Sequence, residues 1–275
     1  MDLEDLTTLI HEHSLSEYQD EILASVRPAI LLKLGQAEPG HKGQSRIGGV
    51  PDLPLSIPWP KNSFLDRYLC FILQINFAEL PTFPDNPLTK RGMLYLFASE
   101  SSNSAEQLVF YDGREPLEPI HLSQDTRLIT DCYDNLVTHR LEFELFPDIP
   151  RWATNDFERL WARLNLDELK LNDLGRTLSE NSVGKLLGHA SGIGHDPRED
   201  AYIVREVNPE WLYNYEQRQT LDMTRAQNWH NLLEVDSSRA VDLMFSDAGY
   251  LQVLIHGEDL KQLDFSTVYV NLESS

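Results

Sequence analysis

The stretch SRIGGVPDLPLSIPWP, residues 45–60, decides how the rest of the chain is read. Its sixteen positions hold two glycines, four prolines and a tryptophan. Proline fixes φ and removes an N–H donor, and adjacent glycines reach backbone angles closed to other residues. Such a segment is neither helix nor linker. It is a rigid path that extends and turns, and neighbouring strands pack against it as on a brace. The apolar run Leu69-Cys70-Phe71-Ile72-Leu73 follows and ends in Gln74-Ile75-Asn76, a buried strand with a polar end.

Working outward, the spacing of Leu3, Leu6, Leu9 and Ile10, then Tyr18, Ile22, Leu23 and Val26, predicts N-terminal helices over residues 1–27, the second capped by Ser14 or Ser16. Pro28 stops them and residues 29–34 read as a strand. Residues 91–97 and 107–111 read as strands joined by a small-residue turn, so with residues 67–76 they predict an antiparallel sheet. Residues 127–129 and 139–145 add two more. Thr154 caps a predicted helix to about Leu164. Residues 165–182 read as polar and partly mobile. Asn208-Pro209-Glu210 starts a short helix with Trp211, Leu212 and Tyr215 turned inward.

The end of the chain echoes its beginning. Residues 229–236 match the strand ending in Gln74-Ile75-Asn76, residues 247–255 match residues 91–97, and Leu186-Leu187-Gly188-His189 stands in the place of Ile47-Gly48-Gly49. This repetition predicts two copies of one β-rich unit, at about residues 28–150 and 180–272, packed into a single body. The predicted class is α+β: mostly antiparallel sheets from two duplicated units, with N-terminal and connecting helices.

The ordered set Arg46-Ile47-Gly48-Gly49-x-Pro51, Trp59-Pro60, Leu73-Gln74-Ile75-Asn76 and Gly92-Met93-Leu94-Tyr95 opens a longer pattern. It continues with Leu187-Gly188-His189, Trp229-x-x-Leu232-Leu233, Asp236-Ser237, Asp247-Ala248-Gly249 and Asp264-Phe265-Ser266. Together these resemble the bacterial YwqG-like domain of unknown function over roughly residues 28–272. The resemblance implies an α+β fold built on duplication and no established activity. Glu234 stands where the family tends to have glutamine, Phe245-Ser246 where it has Trp-Gly, and Ala190 and Gly194-His195-Asp196 where it has a proline and Gln-x-Asp.

The chain has 275 residues, with 23 Lys and Arg against 44 Asp and Glu, a net charge of −21 and a pI near 4.7. Binding to nucleic-acid phosphate or to an anionic membrane needs the opposite balance. The acids are spread along the chain, which argues against a DNA mimic and serves solubility, or attraction to a basic partner. The two cysteines are too few for a disulfide framework or a structural zinc site, and Cys70 in its apolar run reads as a buried, reduced thiol. The N-terminus carries Asp2, Glu4 and Asp5 with no apolar leader, and no apolar run approaches a membrane span, so the expected location is the cytoplasm.

No serine elbow, phosphate loop or His-x-x-x-His pair is present, so no catalytic residue, metal ligand or cofactor is assigned. The ligand-binding candidates are Arg46, Gln74, Asn76, His189, Glu234, Asp236 and Asp247. The polar ends of the two matching strands are expected to converge where the copies meet, with Arg46 and Asp247 beside them. The expected function is a non-catalytic binding or protein-interaction module, an immunity-like role against a basic partner being one form of it; the alternative is a hydrolase or metal-dependent enzyme with an acidic cleft between the repeats. The bland reading of the same residues is that they satisfy backbone groups left unpaired by proline and glycine.

Overall fold

A computed structural model of the chain describes residues 1–38, 40–62, 67–88, 90–99, 107–122, 136–164 and 168–274. It is a mixed helix-and-strand fold whose paired strands all run antiparallel. The described strands are, in chain order, β1 (Arg27–Leu34), β2 (Arg46–Ile47), β3 (Asp52–Pro54), β4 (Lys61–Asn62), β5 (Arg67–Tyr68), β6 (Cys70–Asn76), β7 (Met93–Ala98), β8 (Gln107–Tyr111), β9 (Leu117–Pro119), β10 (His139–Asp148), β11 (Gly184–Leu187), β12 (Trp229–Asp236), β13 (Tyr250–His256) and β14 (Tyr269–Glu273). Ten of them form one sheet in the order β14-β13-β12-β11-β1-β10-β2-β6-β7-β8. β3 with β9 and β4 with β5 make two short ribbons. The large sheet curls until its edges approach: Phe110 on β8 lies 4.8 Å, ring centre to ring centre, from Phe265 just before β14.

The inner face carries the main core, from Ile30, Ile47, Leu73 and Leu94 round to Leu186, Leu233, Val235 and Val253. Alternate residues on these strands point outward, as strand geometry requires. Helices α1 (Leu3–Glu12), α2 (Gln19–Ala24), α3 (Asn155–Leu164) and α4 (Glu168–Leu178) cover the outer face of β1 and β10 through Leu6, Ile10, Ile22, Phe157 and Leu174. The β3–β9 ribbon covers β6 and β7 with Leu53 against Phe71, Tyr95 and Phe97. α5 (Pro197–Tyr202) lies over β12; α6 (Tyr215–Arg218) is a single turn, and α7 (Gly257–Gln262) packs against β13 with Leu260 in the main core.

Residues 45–60 do extend and turn. β2 leads into Gly48 and Gly49 at φ +71° and +75°, then into buried β3. A Cβ at Gly49 would stand 2.6 Å from the Thr138 hydroxyl, so only glycine passes here. Trp59 donates from Nε1 to the Leu69 carbonyl at 2.7 Å and meets Phe97 edge-on at 5.5 Å. It is only half-buried, so Trp59→Ala is expected to cost about 2–3 kcal/mol, at or below the low end for a core aromatic. Thermal unfolding checks this, and an unchanged Tm would show that the tryptophan is not a peg.

Several expectations are corrected. Neither Ser14 nor Ser16 caps α2, whose N-cap position is Tyr18 and has no side-chain cap, and Ser14 sits at φ +58°. Part of the stretch read as polar and mobile is α4, a helix whose Leu171, Leu174 and Leu178 recur at helical spacing and are buried. Tyr215 is not turned inward but is 81% exposed. Cys70 is buried but disulfide-bonded, not a free thiol. The strand expected at residues 127–129, the turn after β7 and Cys132 lie outside the described residues.

Candidate functional site

The ends of β6 and β12 do not converge. Among the described residues four strands stand between them, so the polar residues divide into two separate clusters.

The first lies under the β3–β9 ribbon. Arg46 on β2, Gln74 on β6 and Tyr95 on β7 stand side by side in one cross-strand row, and Asp52 caps it. Arg46 Nη1 donates to Asp52 Oδ2 at 2.9 Å, and so do Gln74 Nε2 at 3.1 Å and the Gly43 N–H at 2.7 Å. Gln74 Oε1 accepts the Asp52 N–H at 2.8 Å, and the Tyr95 hydroxyl donates to the Asp52 carbonyl at 2.5 Å. Burial alone would raise the Asp52 pKa, but Arg46 and the Gly43 N–H outweigh it and hold the carboxyl below its usual range. Asn76 joins Gly43 to the Ala78 N–H. Arg46, Gln74 and Asn76 are thus spent on the chain's own loops.

The second cluster lines an open cleft of about 760 Å³ on the outer face of β11–β13, walled by α4 and the loop through Ser191. The strands beneath it have the same geometry, with Lys185, Glu234, Asp236 and Tyr250 lining the cleft and Gln252 and Glu273 buried beside it. Lys185 on β11, Glu234 on β12 and Gln252 on β13 form one cross-strand row; Asp236, Tyr250 and Glu273 form the next. The sequence places them because each alternates with an inward aliphatic: Leu186, Leu233, Val235, Leu251 and Val253.

Lys185 is anchored behind the cleft. Its Nζ donates to Asp148 Oδ2 at 2.9 Å and lies 3.9 Å from Glu234 Oε2. Asp148, at the end of β10, is wholly buried and also accepts from Arg151 Nη2 at 2.8 Å and from the His189 N–H at 2.9 Å. Glu234 accepts from Gln252 Nε2 at 3.2 Å. Gln252 Oε1 and the Tyr250 hydroxyl are buried with no hydrogen-bond partner among the described residues. Burial, then the Glu234 carboxylate, pushes the Asp236 pKa well above the carboxylate range against the pull of Lys185. Burial, with the nearby Asp200 carboxylate, takes Glu273 up to about 7, although His195 opposes it. Tyr250, buried with Glu234, Glu273 and Asp236 around it, is held far above an ordinary phenol.

These shifts carry a sign for stability. A carboxyl raised from about 4 binds its proton more tightly when folded, so its own contribution to stability is fullest below pH 4 and is lost as pH rises through about 7. Asp236→Asn removes the ionisation penalty. Its Tm is expected to exceed the parent's at pH 8 and to equal it near pH 4; a gain at both or neither would show that Asp236 is not held protonated.

The remaining candidates sit elsewhere. Asp247 is exposed and does not line the cleft, although its neighbours Ala248 and Gly249 do. His189 is buried with its ring against the Ser25 carbonyl, 2.9 Å from Nε2, and 3.5 Å from Asp156. Burial lowers its pKa while Asp156 opposes the change. Sequence reasoning missed Lys185, Asp148, Tyr250, Gln252 and Glu273. The period-two pattern of β13 and the lone lysine among apolar residues at 183–187 were the available signals.

Among the described residues no three His, Cys, Asp or Glu side chains are gathered as metal ligands, and no helix is long and apolar enough to cross a membrane. Residues 45–273 match the family described as a domain of unknown function, DUF1963, and the chain belongs to that family. No curated protein matches the chain.

Proposed function

We propose that the chain is a non-catalytic binding module of the YwqG-like kind, which receives a basic group of a protein partner in the cleft at Glu234 and Asp236. The observation that carries this reading is a surplus of acceptors. The carboxyls of Glu234 and Asp236 and the unpartnered Tyr250 hydroxyl meet there, and Lys185 donates to Asp148. A guanidinium or ammonium supplies donors and charge together. The net charge of −21 would speed the approach of such a partner, and an immunity-like role against a basic protein fits the same electrostatics. The test is titration with N-acetylarginine amide at pH 8, followed through Trp152 at the cleft wall. Saturable binding that weakens at least tenfold in Glu234→Gln supports the reading; no binding at millimolar concentration sinks it.

A duplicated origin belongs to the same proposal. It is supported by the near-palindromic strand order, by register shifts at Phe71/Leu73 and at Asn231/Leu233, and by positive φ at Gly48-Gly49 and again at Leu187-Gly188. So does a cytoplasmic, bacterial setting. The disulfide at Cys70 favours an oxidising compartment instead. Thiol alkylation of protein from its native cell, with and without reduction, decides between them.

The second reading, a hydrolase, is favoured by one observation: Asp236 is held protonated toward neutrality beside Glu234, as a general acid would be. Turnover in a hydrolase panel, abolished by Asp236→Asn, would establish it.

A further inference from the structure

A second pocket, outside the acidic cleft, holds a buried polar atom without a partner. His189 is 2% exposed, and its Nδ1 has no hydrogen-bond partner among the described residues. Nε2 lies 2.9 Å from the Ser25 carbonyl, which can only accept, so the ring proton belongs on Nε2 and Nδ1 is a lone pair. Nδ1 faces Asp156 Oδ2 across 3.5 Å, and a carboxylate also only accepts. Two acceptors face each other, and the proton between them is missing. Burial favours this neutral ring by lowering its pKa. His189 and Asp156 line a pocket of about 490 Å³ between α2, the start of β1 and α3, together with Arg27, Arg159 and Arg163. Behind the ring, Asp148 accepts the His189 N–H at 2.9 Å.

The guanidinium groups here outnumber their carboxylates. Arg198 is taken by Asp196, at 2.9 and 3.1 Å from Nε, and also reaches Asp156 at 2.9 Å. Arg27, 3.4 Å away, and Arg159 turn to that same Asp156 carboxylate. Arg163 is exposed and has no ion pair or hydrogen bond among the described residues. Burial lowers the Arg27 pKa, and although Asp156 opposes this, Arg198 and Arg159 repel the same charge. Asp20 and Glu21 also line the pocket, but both are exposed and screened by water and salt.

We infer that this pocket binds a phosphoryl group that carries one proton, on free phosphate or on a small phosphomonoester. Its oxygens accept from Arg27, Arg159 and Arg163, and its P–OH donates to His189 Nδ1. Sulfate and ionised carboxylates bring acceptors but no proton. Three guanidinium groups also outnumber the two oxygens of a carboxylate, and the guanidinium fork is well matched to phosphate oxygens. The inference is independent of the basic-group reading, which concerns the other cleft. The net charge of −21 does not oppose it at short range, because exposed charges beyond a Debye length of about 8–10 Å are screened in physiological salt. The pocket is within the range of roughly 300–1,000 Å³ usual for ligand sites.

The experiment is calorimetry on the full chain at about pH 6, near the second pKa of a phosphomonoester. The probes are inorganic phosphate, glycerol phosphate and sulfate. Phosphate or glycerol phosphate is expected to saturate one site per chain at millimolar concentration or below, at least tenfold tighter than sulfate. The tighter of the two identifies the source of the phosphoryl group. Arg163→Gln should weaken that binding at least tenfold and keep the parent Tm, because Arg163 holds nothing in the fold. In nitrogen NMR the His189 Nδ1 resonance should move on addition of phosphate and stay in place on addition of sulfate. Equal affinity for phosphate and sulfate, or an Nδ1 resonance that ignores bound phosphate, overturns the shared proton and with it the inference. So does parent-like binding by Arg163→Gln, or no saturable binding of any probe at millimolar concentration.

Discussion

Asp148→Asn is expected to destabilise the protein by about 3–5 kcal/mol, roughly 10 °C in Tm. Asp148 is wholly buried and is the shared acceptor for Arg151, Lys185 and the His189 N–H. Burial alone would raise its pKa, yet Arg151 and Lys185 overcome this and hold it well below the usual carboxylate range. Asparagine keeps the shape and one acceptor but removes the charge, so Lys185, itself 3% exposed, is left beside a neutral group. A buried charge that loses its partner is costlier than the intact pair was worth. The sign with pH is fixed. A depressed carboxyl contributes its full stability above about pH 4, and that contribution fades as pH falls below it. The gap between variant and parent should therefore be constant from pH 5 to 8 and narrow toward pH 3. Urea unfolding across that range measures it. A loss below 1 kcal/mol would mean that Glu234, 3.9 Å from Lys185, takes over as counter-ion; Asp148→Asn/Glu234→Gln would then recover the full cost.

Asp52→Ala is expected to cost a similar 3–5 kcal/mol, by the same physics in the other half. Arg46 and Asp52 are 5% and 3% exposed, and the carboxylate also holds the Gly43 N–H and Gln74. Losing it strips three donors of one acceptor and frees the β3–β9 ribbon from the sheet. The two variants should differ in their second effect. Asp52→Ala should leave N-acetylarginine amide binding unchanged when assayed folded, because its row is separate from the cleft. Asp148→Asn should alter that binding, because Lys185 can then turn toward Glu234. Similar binding effects from both would show that the two halves are coupled through the sheet.

Much of the fold was legible. β1, β6, β7, β8, β10, β12 and β13 announce themselves as short β-rich runs bounded by Gly, Pro and Asp, and α3 by Thr154 followed by Phe157, Leu160 and Leu164 at helical spacing. α4 was hidden because its leucines sit among polar residues, and its apolar stripe is narrow enough to pass for a mobile loop until packing against β10 reveals it. The candidate site was half legible. Glu234 and Asp236 stood out at the end of a strand, and they do line a cleft. Gln74, Asn76 and Arg46 stood out for the same reason and are spent internally. Residue type and strand position are alike in the two cases; what lies on top of the strand differs.

The sequence by itself determined that polar residues alternating with Leu, Val and Ile on a strand lie on the face opposite the aliphatic core, but not that the polar ends of β6 and β12 stay apart. Period-two alternation permits no other face once the inner one is buried. It also determined the glycine turns at Gly48-Gly49 and Gly188, where positive φ is needed. Only the tertiary structure decided which row stays open. In one half Asp52 folds back from the glycine- and proline-rich segment 45–60 and satisfies Arg46, Gln74 and Tyr95 within one short loop. In the other half Asp148, far away in sequence, takes Lys185 from the side and leaves Glu234, Asp236 and Tyr250 lining an open cleft. Those partners are set by strand order and register, which no local pattern of residues contains.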